Sequence, residues 1–210
     1  MYTQIKLNSA KVNSTGMFPL AQRVASKNIL NKFLDEMPEG TIAYIAGGAP
    51  RDWHHGIGCR DIDIFFHVPD EFRDSTTVML ENMYQTLHHN YHGYDYEGGQ
   101  GIMSVHEFDA SEMSRSKTMQ FRKVQLIRLD RDPMSVITDF PISLSRIWMG
   151  IDGLIYCDDA YKDSYNNRII REMHNKQYNY VYLNKILGRF DKYAFVPNTY
   201  RSLPEDQHIA

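Results

Sequence analysis

Apolar side chains recur at three-to-four-residue spacing over residues 18–37, at Leu20, Val24, Leu30, Phe33, Leu34 and Met37. That is the period of an amphipathic helix, and Pro38-Glu39-Gly40 stops it. TIAYIA (41–46) predicts a short buried strand, and GGAPRD then turns sharply. Pro50 suits the first turn of a new helix, where its missing N–H costs nothing. In DIDIFFHV (61–68), Ile62, Ile64, Phe66 and Val68 alternate with Asp61, Asp63, Phe65 and His67. Alternation of this kind puts the first set on one face of a strand and the second on the other.

Residues 70–91 read as a helix with Phe72, Met79, Leu80, Met83, Leu87 and Tyr91 inward. YEGGQGIMSVHEF (96–108) and MQFRKVQLIRL (119–129) read as two strands. The polar, serine-rich connection at 110–118 is expected to be mobile. FPISLSRIWMG (140–150) predicts a helix and GLIYC (153–157) a short strand. YNYVYLNKILGRFDKY (178–193) predicts a helix with Tyr178, Tyr182, Ile186, Phe190 and Tyr193 on one stripe, and the tail from Pro197 is expected to be irregular. No internal repeat and no long linker is visible.

A chain of 210 residues can bury a sizeable core, as one domain or one domain plus a small helical appendage. With 42% hydrophobic and 23% charged residues it has ordinary globular composition. A formal net charge of −3 does not announce a nucleic-acid binder. The charge is uneven, however. Residues 160–201 carry 8 basic and 3 acidic side chains, against 15 basic and 21 acidic in residues 1–159. A basic segment suits a polyanionic partner, and a solvated helix face explains it equally well. Cys59 and Cys157 show no metal spacing and make no disulfide framework. The N-terminal stretch lacks the apolar core of a signal peptide, and no apolar run approaches the roughly 18 residues of a membrane helix. The expectation is a protein of a reducing compartment, the cytoplasm, with no membrane partner.

The chemistry concentrates in IAGGAPRDWHHGIGCRDIDIFFHV (45–68). A strand, then Gly47-Gly48, then a helix start exposes backbone N–H groups that a phosphate can approach closely. Arg51, in the first helical turn, can fork onto phosphate oxygens. Alone, a glycine pair at such a place is more often just a turn. Asp61 and Asp63 are two apart on a strand, so their carboxylates lie side by side. Hard divalent cations take one or two carboxylates together with phosphate oxygens and water, and the ion removes the repulsion between the acids. Alone, an Asp-x-Asp is an exposed acidic strand face. Together the two features supply a triphosphate cradle and a metal site for phosphoryl or nucleotidyl transfer.

Gly47, Gly48, Arg51, Asp52, Gly56, Asp61, Ile62 and Asp63 together match GG-x-x-RD-x-x-x-G…D-I-D. This pattern resembles the signature of the DNA polymerase β-like nucleotidyltransferase superfamily. Within it, the stretch is most similar to the tRNA nucleotidyltransferase (CCA-adding) and bacterial poly(A) polymerase branch. TDFPISLSRIW (138–148) resembles that branch's RRDFTINA segment through Asp139, Phe140 and Ile142. KDSYNNRIIR (162–171) resembles the hairpin that follows it, and GRFDKYAF (188–195) resembles its RF-x-x-RFGF helix. Compact versions like this one also resemble nucleotidyltransferases carried by bacteriophages, for which the compartment would be the host cytoplasm.

The resemblance implies an α+β fold: a small mixed β-sheet core of the polymerase β type with a helical C-terminal part. Residues 1–155 would form the catalytic domain and 156–210 a helical, basic part, separate or continuous with it. It implies an Mg²⁺-dependent enzyme, with two ions and Mn²⁺ as a substitute, that moves NMP from an NTP to a hydroxyl acceptor such as RNA, above all tRNA. Asp61 and Asp63 would hold the metals, with Asp139 as a third catalytic acid or a ribose contact. Gly47, Gly48, Arg51 and Asp52 would bind the nucleotide; Arg128, outside the motif, reads either as a nucleotide-binding, phosphate-neutralising residue or merely as the flank of a strand end.

Departures from the pattern leave rivals open. The two arginines before the family's Asp are Ile137 and Thr138 here, and Gln125 stands where a third acid is expected. The base-selecting Glu-Asp-x-x-Arg would fall near Asn179, Tyr180 and Leu183 and is absent. The rivals are NMP transfer to a protein or small molecule, as in nucleotidyltransferase toxins, and a non-catalytic nucleotide-binding module. His54-His55, His88-His89 and His92 read as solvated rather than as metal ligands. His67 shares the face of the aspartates and is a candidate supporting residue, while Cys59 reads as a small packed side chain.

Overall fold

The structure, a computed structural model, describes residues 2–5, 17–83, 85–87, 101–109, 123–173 and 180–198. The expected connection at 110–118, the paired histidines at 88–92 and the tail beyond 198 lie outside these residues.

Eight strands form one sheet: β1 (Thr3–Ile5), β2 (Ile42–Ala46), β3 (Asp61–His67), β4 (Gln85–Leu87), β5 (Ile102–Asp109), β6 (Lys123–Leu129), β7 (Ile147–Met149) and β8 (Ile155–Cys157). Their spatial order is β1-β8-β7-β2-β3-β6-β5-β4. The central β3–β6 pair is parallel, and every other pair in the sheet is antiparallel. The helices are α1 (Met17–Glu36), α2 (Gly48–His54), α3 (Arg73–Met83), α4 (Pro133–Ile137), α5 (Asp159–Asn167) and α6 (Tyr180–Arg189). A two-stranded parallel ribbon, β9 (Ile169–Arg171) with β10 (Ala194–Val196), stands apart from the sheet. The architecture is α+β with a mixed sheet. No described helix is long and apolar enough to cross a membrane.

The two faces of the sheet are sealed differently. Ile62, Ile64 and Phe66 of β3 pack with Leu30 and Phe33 of α1 and Leu80 of α3 in the larger buried cluster. The rings of Phe33 and Phe66 meet edge to face with centroids 5.0 Å apart. On the opposite face Phe65, Ile127 and Leu129 pack with Val136 and Ile137 of α4, Phe140 and Trp148. Tyr161, Ile170, Leu183, Ile186 and Phe190 lie in the same larger cluster as Trp53 and Ile62, so the C-terminal elements share its core.

Several expected elements differ. In α1, Leu20 and Val24 face solvent while Gln22 and Ser26 are buried. Gln22 sits inward because both polar atoms of its amide find partners. Its Nε2 donates to the Cys59 carbonyl at 3.0 Å, and its Oε1 accepts from Cys59 N–H at 2.9 Å and Trp53 Nε1 at 3.2 Å. The helix expected over 70–91 ends at Met83, and Gln85–Leu87 instead pairs with β5. The helix expected over 140–150 is a single 3₁₀ turn at Ser143–Ser145 followed by β7. The hairpin expected at 162–171 is the end of α5 followed by β9. β1, α4 and the β9–β10 ribbon were not expected. Asp132-Pro133 does announce α4, because the Asp132 side chain caps Met134 N–H at 2.9 Å and Pro133 opens the helix.

Candidate active site

Antiparallel pairing runs from Ile42 opposite His67 to Ile45 opposite Ile64. One further step along that register sets Ala46 beside Asp63, so the chain leaves β2 for its glycine turn next to the aspartates. Gly47 takes φ 74° there, a conformation that a side chain resists. Its N–H donates to the Ile147 carbonyl at 2.9 Å, which fastens the turn to β7. A Cβ on Gly48 would lie 3.7 Å from Arg51 Nη2, so the tip of that guanidinium is at the turn.

Asp61 and Asp63 are about 6.6 Å apart along the strand. They share the Phe65 face of β3, as alternation requires. Asp61 is exposed. Asp63 Oδ1 is buried with no hydrogen-bond partner. Burial, and then the charge of Asp61, raise the Asp63 carboxyl to about 7, while Lys185 and Arg51 pull it back down. An orphaned buried carboxylate oxygen beside a second carboxylate is a donor set suited to a hard divalent cation. Among the described residues no group of three or more His, Cys, Asp or Glu side chains gathers in a metal-binding cluster.

The neighbouring strands continue the row. Asp63 registers with Gln125 on β6, and Gln125 with Glu107 on β5. Gln125 Nε2 donates to Glu107 Oε2 at 3.1 Å, and Glu107 also pairs with Lys123. The position of the expected third acid is therefore an amide tied to a carboxylate one strand further out. Asp139 follows α4, next to Phe140, whose ring packs on Phe65 with centroids 5.4 Å apart. That contact brings Asp139 to the same face of the sheet as Asp63. Phe140 also lies 3.7 Å from where a Cβ on Gly47 would stand.

Arg51 and Asp52 are both buried, and Arg51 Nε donates to Asp52 Oδ1 at 3.2 Å. The guanidinium lies over the Phe190 ring at 5.2 Å, and its Nη1 has no partner. Asp52 is shared with Arg189 of α6, at 2.8 Å. Burial raises the Asp52 carboxyl, and Arg51 and Arg189 oppose that rise. The same Arg189 nitrogen also donates to the Gly58 carbonyl at 3.0 Å. Tyr182, one turn into α6, shares a hydrogen bond of 2.9 Å with Ser145 Oγ.

Three sequence-based assignments are corrected by position. Arg128 is level with Phe66, on the face opposite the aspartates. It is buried there, donating to Thr77 Oγ1 at 2.6 Å and to the Arg73 carbonyl at 2.7 Å, so it holds α3 and stands apart from the glycine turn. His67 is roughly 13 Å along β3 from Asp63 and bonds the Leu129 carbonyl at 3.1 Å, away from the acids. His54 and His55 are not solvated: they bond Tyr161 and Tyr193 hydroxyls at 2.8 and 2.9 Å, and burial lowers both to about 4. Cys59 is a packed side chain whose thiol burial pushes up.

No protein-family model and no curated protein matches the chain. Solved structures do. A CCA-adding enzyme in complex with CTP superposes with TM-score 0.52 at 16% identity, covering 93% of this chain and 44% of that one. The Thermotoga maritima CCA-adding enzyme complexed with a tRNA gives TM-score 0.53 at 15% identity, covering 96% and 44%. The fold is that of the CCA-adding enzymes. The chain spans less than half the length of these enzymes. The likeness agrees with the polymerase β-like core that the motifs resemble, and it speaks for fold alone.

Around this site, three residues had no place in the expected catalytic set. Glu107 had no local signal, since its role depends on strand register. Arg189 lay within the GRF segment, but nothing local tied it to Asp52. Lys185 was only one of several basic residues on a charged segment.

Proposed function

We propose that the protein is a nucleotidyltransferase that transfers NMP from an NTP to a hydroxyl of an RNA acceptor. The observation that carries this reading is the pair Asp61 and Asp63 beside the Gly47 turn, with a buried, unpartnered oxygen on Asp63. Asp61 and Asp63 would hold Mg²⁺, or Mn²⁺ in its place. The bound ion would supply Lewis-acid stabilisation of the charge that develops at the phosphorus and at the departing pyrophosphate.

The chain's own residues do the rest. Gly47 and Gly48 let phosphate oxygens approach the main chain. Arg51, fixed through Nε by Asp52, presents its unpartnered Nη1 to anionic oxygens. Asp52 positions both Arg51 and Arg189. Asp139 contacts either the metal or the ribose. Phe65 and Phe140 form an apolar wall that limits water on that side. tRNA is the favoured acceptor, because it is the partner of a solved CCA-adding enzyme with this fold. A cytoplasmic setting suits that substrate.

One observation favours a second reading, a nucleotide-binding module without turnover: Gln125, bonded to Glu107, occupies the place of an acid. The test is incubation with each labelled NTP, Mg²⁺ and total RNA. Label transferred to RNA supports the enzyme, and label on protein or small molecules redirects the acceptor. Binding of NTP with no labelled product in any fraction establishes the module instead.

A further inference from the structure

The cations nearest the aspartates differ in how fully they are engaged. Arg51 and Arg189 both hold Asp52, and Arg189 also holds the Gly58 carbonyl. Lys123 is paired with Glu107. Lys185 makes no hydrogen bond or ion pair among the described residues and is exposed. Its direction follows from α6. Residues three and four apart share a helix face, so Lys185 lies between Tyr182, one turn before it, and Arg189, one turn after. Tyr182 reaches Ser145 and Arg189 reaches Asp52. Meanwhile Leu183, Ile186 and Phe190 fix the helix by entering the buried cluster. The ridge 182–185–189 therefore faces the α2–β3 side of the site. Consistent with this placement, the Lys185 charge draws down the Asp52 carboxyl.

Three groups on this side of α2, β3 and α6 are unsatisfied: an ammonium on Lys185, a guanidinium nitrogen on the buried Arg51 and a carboxylate oxygen on Asp63. The two cations suit a polyphosphate and the carboxylate suits the metal that accompanies it. We propose that Lys185 is a triphosphate-binding residue, contributed by α6, which engages the β- and γ-phosphates of the incoming NTP. The inference rests on the nucleotidyltransferase reading and deepens it. The C-terminal helix becomes part of the nucleotide site, and the sheet with its glycine turn is incomplete without it.

The test compares binding of the four NTPs and their monophosphates by the full chain and by Lys185→Ala, Lys185→Gln and Lys185→Arg, using calorimetry with Mg²⁺. Lys185→Ala and Lys185→Gln should weaken NTP binding about tenfold, as for a lost charge-assisted contact, and leave NMP binding within about twofold. Lys185→Arg should restore most of the NTP affinity, and melting temperatures should be unchanged. Equal NTP affinity in wild type and Lys185→Ala overturns the proposal while leaving the nucleotidyltransferase reading intact. A parallel fall in NTP and NMP affinity also overturns it, by showing that the side chain only supports the fold. A wild-type protein that binds none of the four NTPs overturns both.

Discussion

The two faces of β3 carry opposite kinds of side chain and are used oppositely. Ile62, Ile64 and Phe66 are fully buried under α1 and α3. One residue away each time, Asp61 and Asp63 face the other side, where Asp61 is exposed and Asp63 is part-buried with an unpartnered oxygen. The buried arginines each leave one nitrogen unpartnered, Nε of Arg128 and Nη1 of Arg51, and differ in what the others reach. Arg128, on the helix-covered face, spends its two terminal nitrogens on Thr77 and on the Arg73 carbonyl. Arg51, at the glycine turn, keeps Nη1 unpartnered. A strand with a side-chain period of two thus sets packed apolar residues on one face and the paired carboxylates on the other.

The separation can be broken residue by residue. The largest effect is expected from Asp63→Asn, which should lower NMP transfer by about 10³-fold. Its melting temperature should stay the same or rise at neutral pH, because a desolvated charge is removed. A labelled-NTP assay alongside a thermal melt checks both halves, and retained activity removes Asp63 from the metal site. Ile64→Ala, one position along the same strand, should do the reverse: a loss of about 2–5 kcal/mol in denaturant unfolding, with transfer by the folded fraction near wild type.

A pH series sharpens the comparison further. Asp63 is raised to about 7 in the fold, against roughly 3.9 in an unfolded chain. Between those values the folded state holds the extra proton. Metal-free stability should therefore fall as pH rises from about 4 to about 7, and this contribution should level off above that. The size is about 2–4 kcal/mol. Asp63→Asn should lack that part of the slope, so identical urea-unfolding profiles for variant and wild type would count against the burial of this acid. The smallest effect separates the arginines. Arg128→Met should cost about 1–3 kcal/mol of stability with unchanged NTP affinity, whereas Arg51→Ala should both weaken NTP binding and lower stability, because it removes a buried partner of Asp52.

The β2–turn–α2–β3 segment was readable because its signals are local. Alternation in DIDIFFHV sets the face of each residue, and a glycine pair after a strand sets the turn. The region around 140–150 was not. Ile147, Trp148 and Met149 are buried on both sides of a central strand, so no alternation marks them, and the preceding serines bond across the fold rather than along it. Ser143 Oγ, for example, accepts from Ser164 Oγ and from Arg171 N–H. The misread stripe of α1 has a similar cause, since Gln22 is inward for three hydrogen bonds that no hydropathy pattern records. Among the site residues, the motif placed Asp61, Asp63, Gly47 and Arg51, which lie close in sequence. Lys185, Arg189 and Glu107 are brought near by register and helix docking, so the chain gives no short-range sign of them. Arg128 was misplaced because its face depends on a parity that charge alone does not reveal.

The single parallel pair at the centre of the sheet has a consequence in time. β3 meets β6 with Asp61 opposite Lys123 and His67 opposite Leu129, and β1 meets β8 with Thr3 opposite Cys157. Such distant partners must close long loops before any ladder bond rewards them, which places folding in the slower, millisecond-to-second class. On a ribosome adding roughly 5–20 residues per second, the first strand waits on the order of 10–30 seconds for its partner to be made. During that interval the Ile62, Ile64 and Phe66 face has no complete sheet to join, so the newborn chain depends on α1 and β2 to shield it.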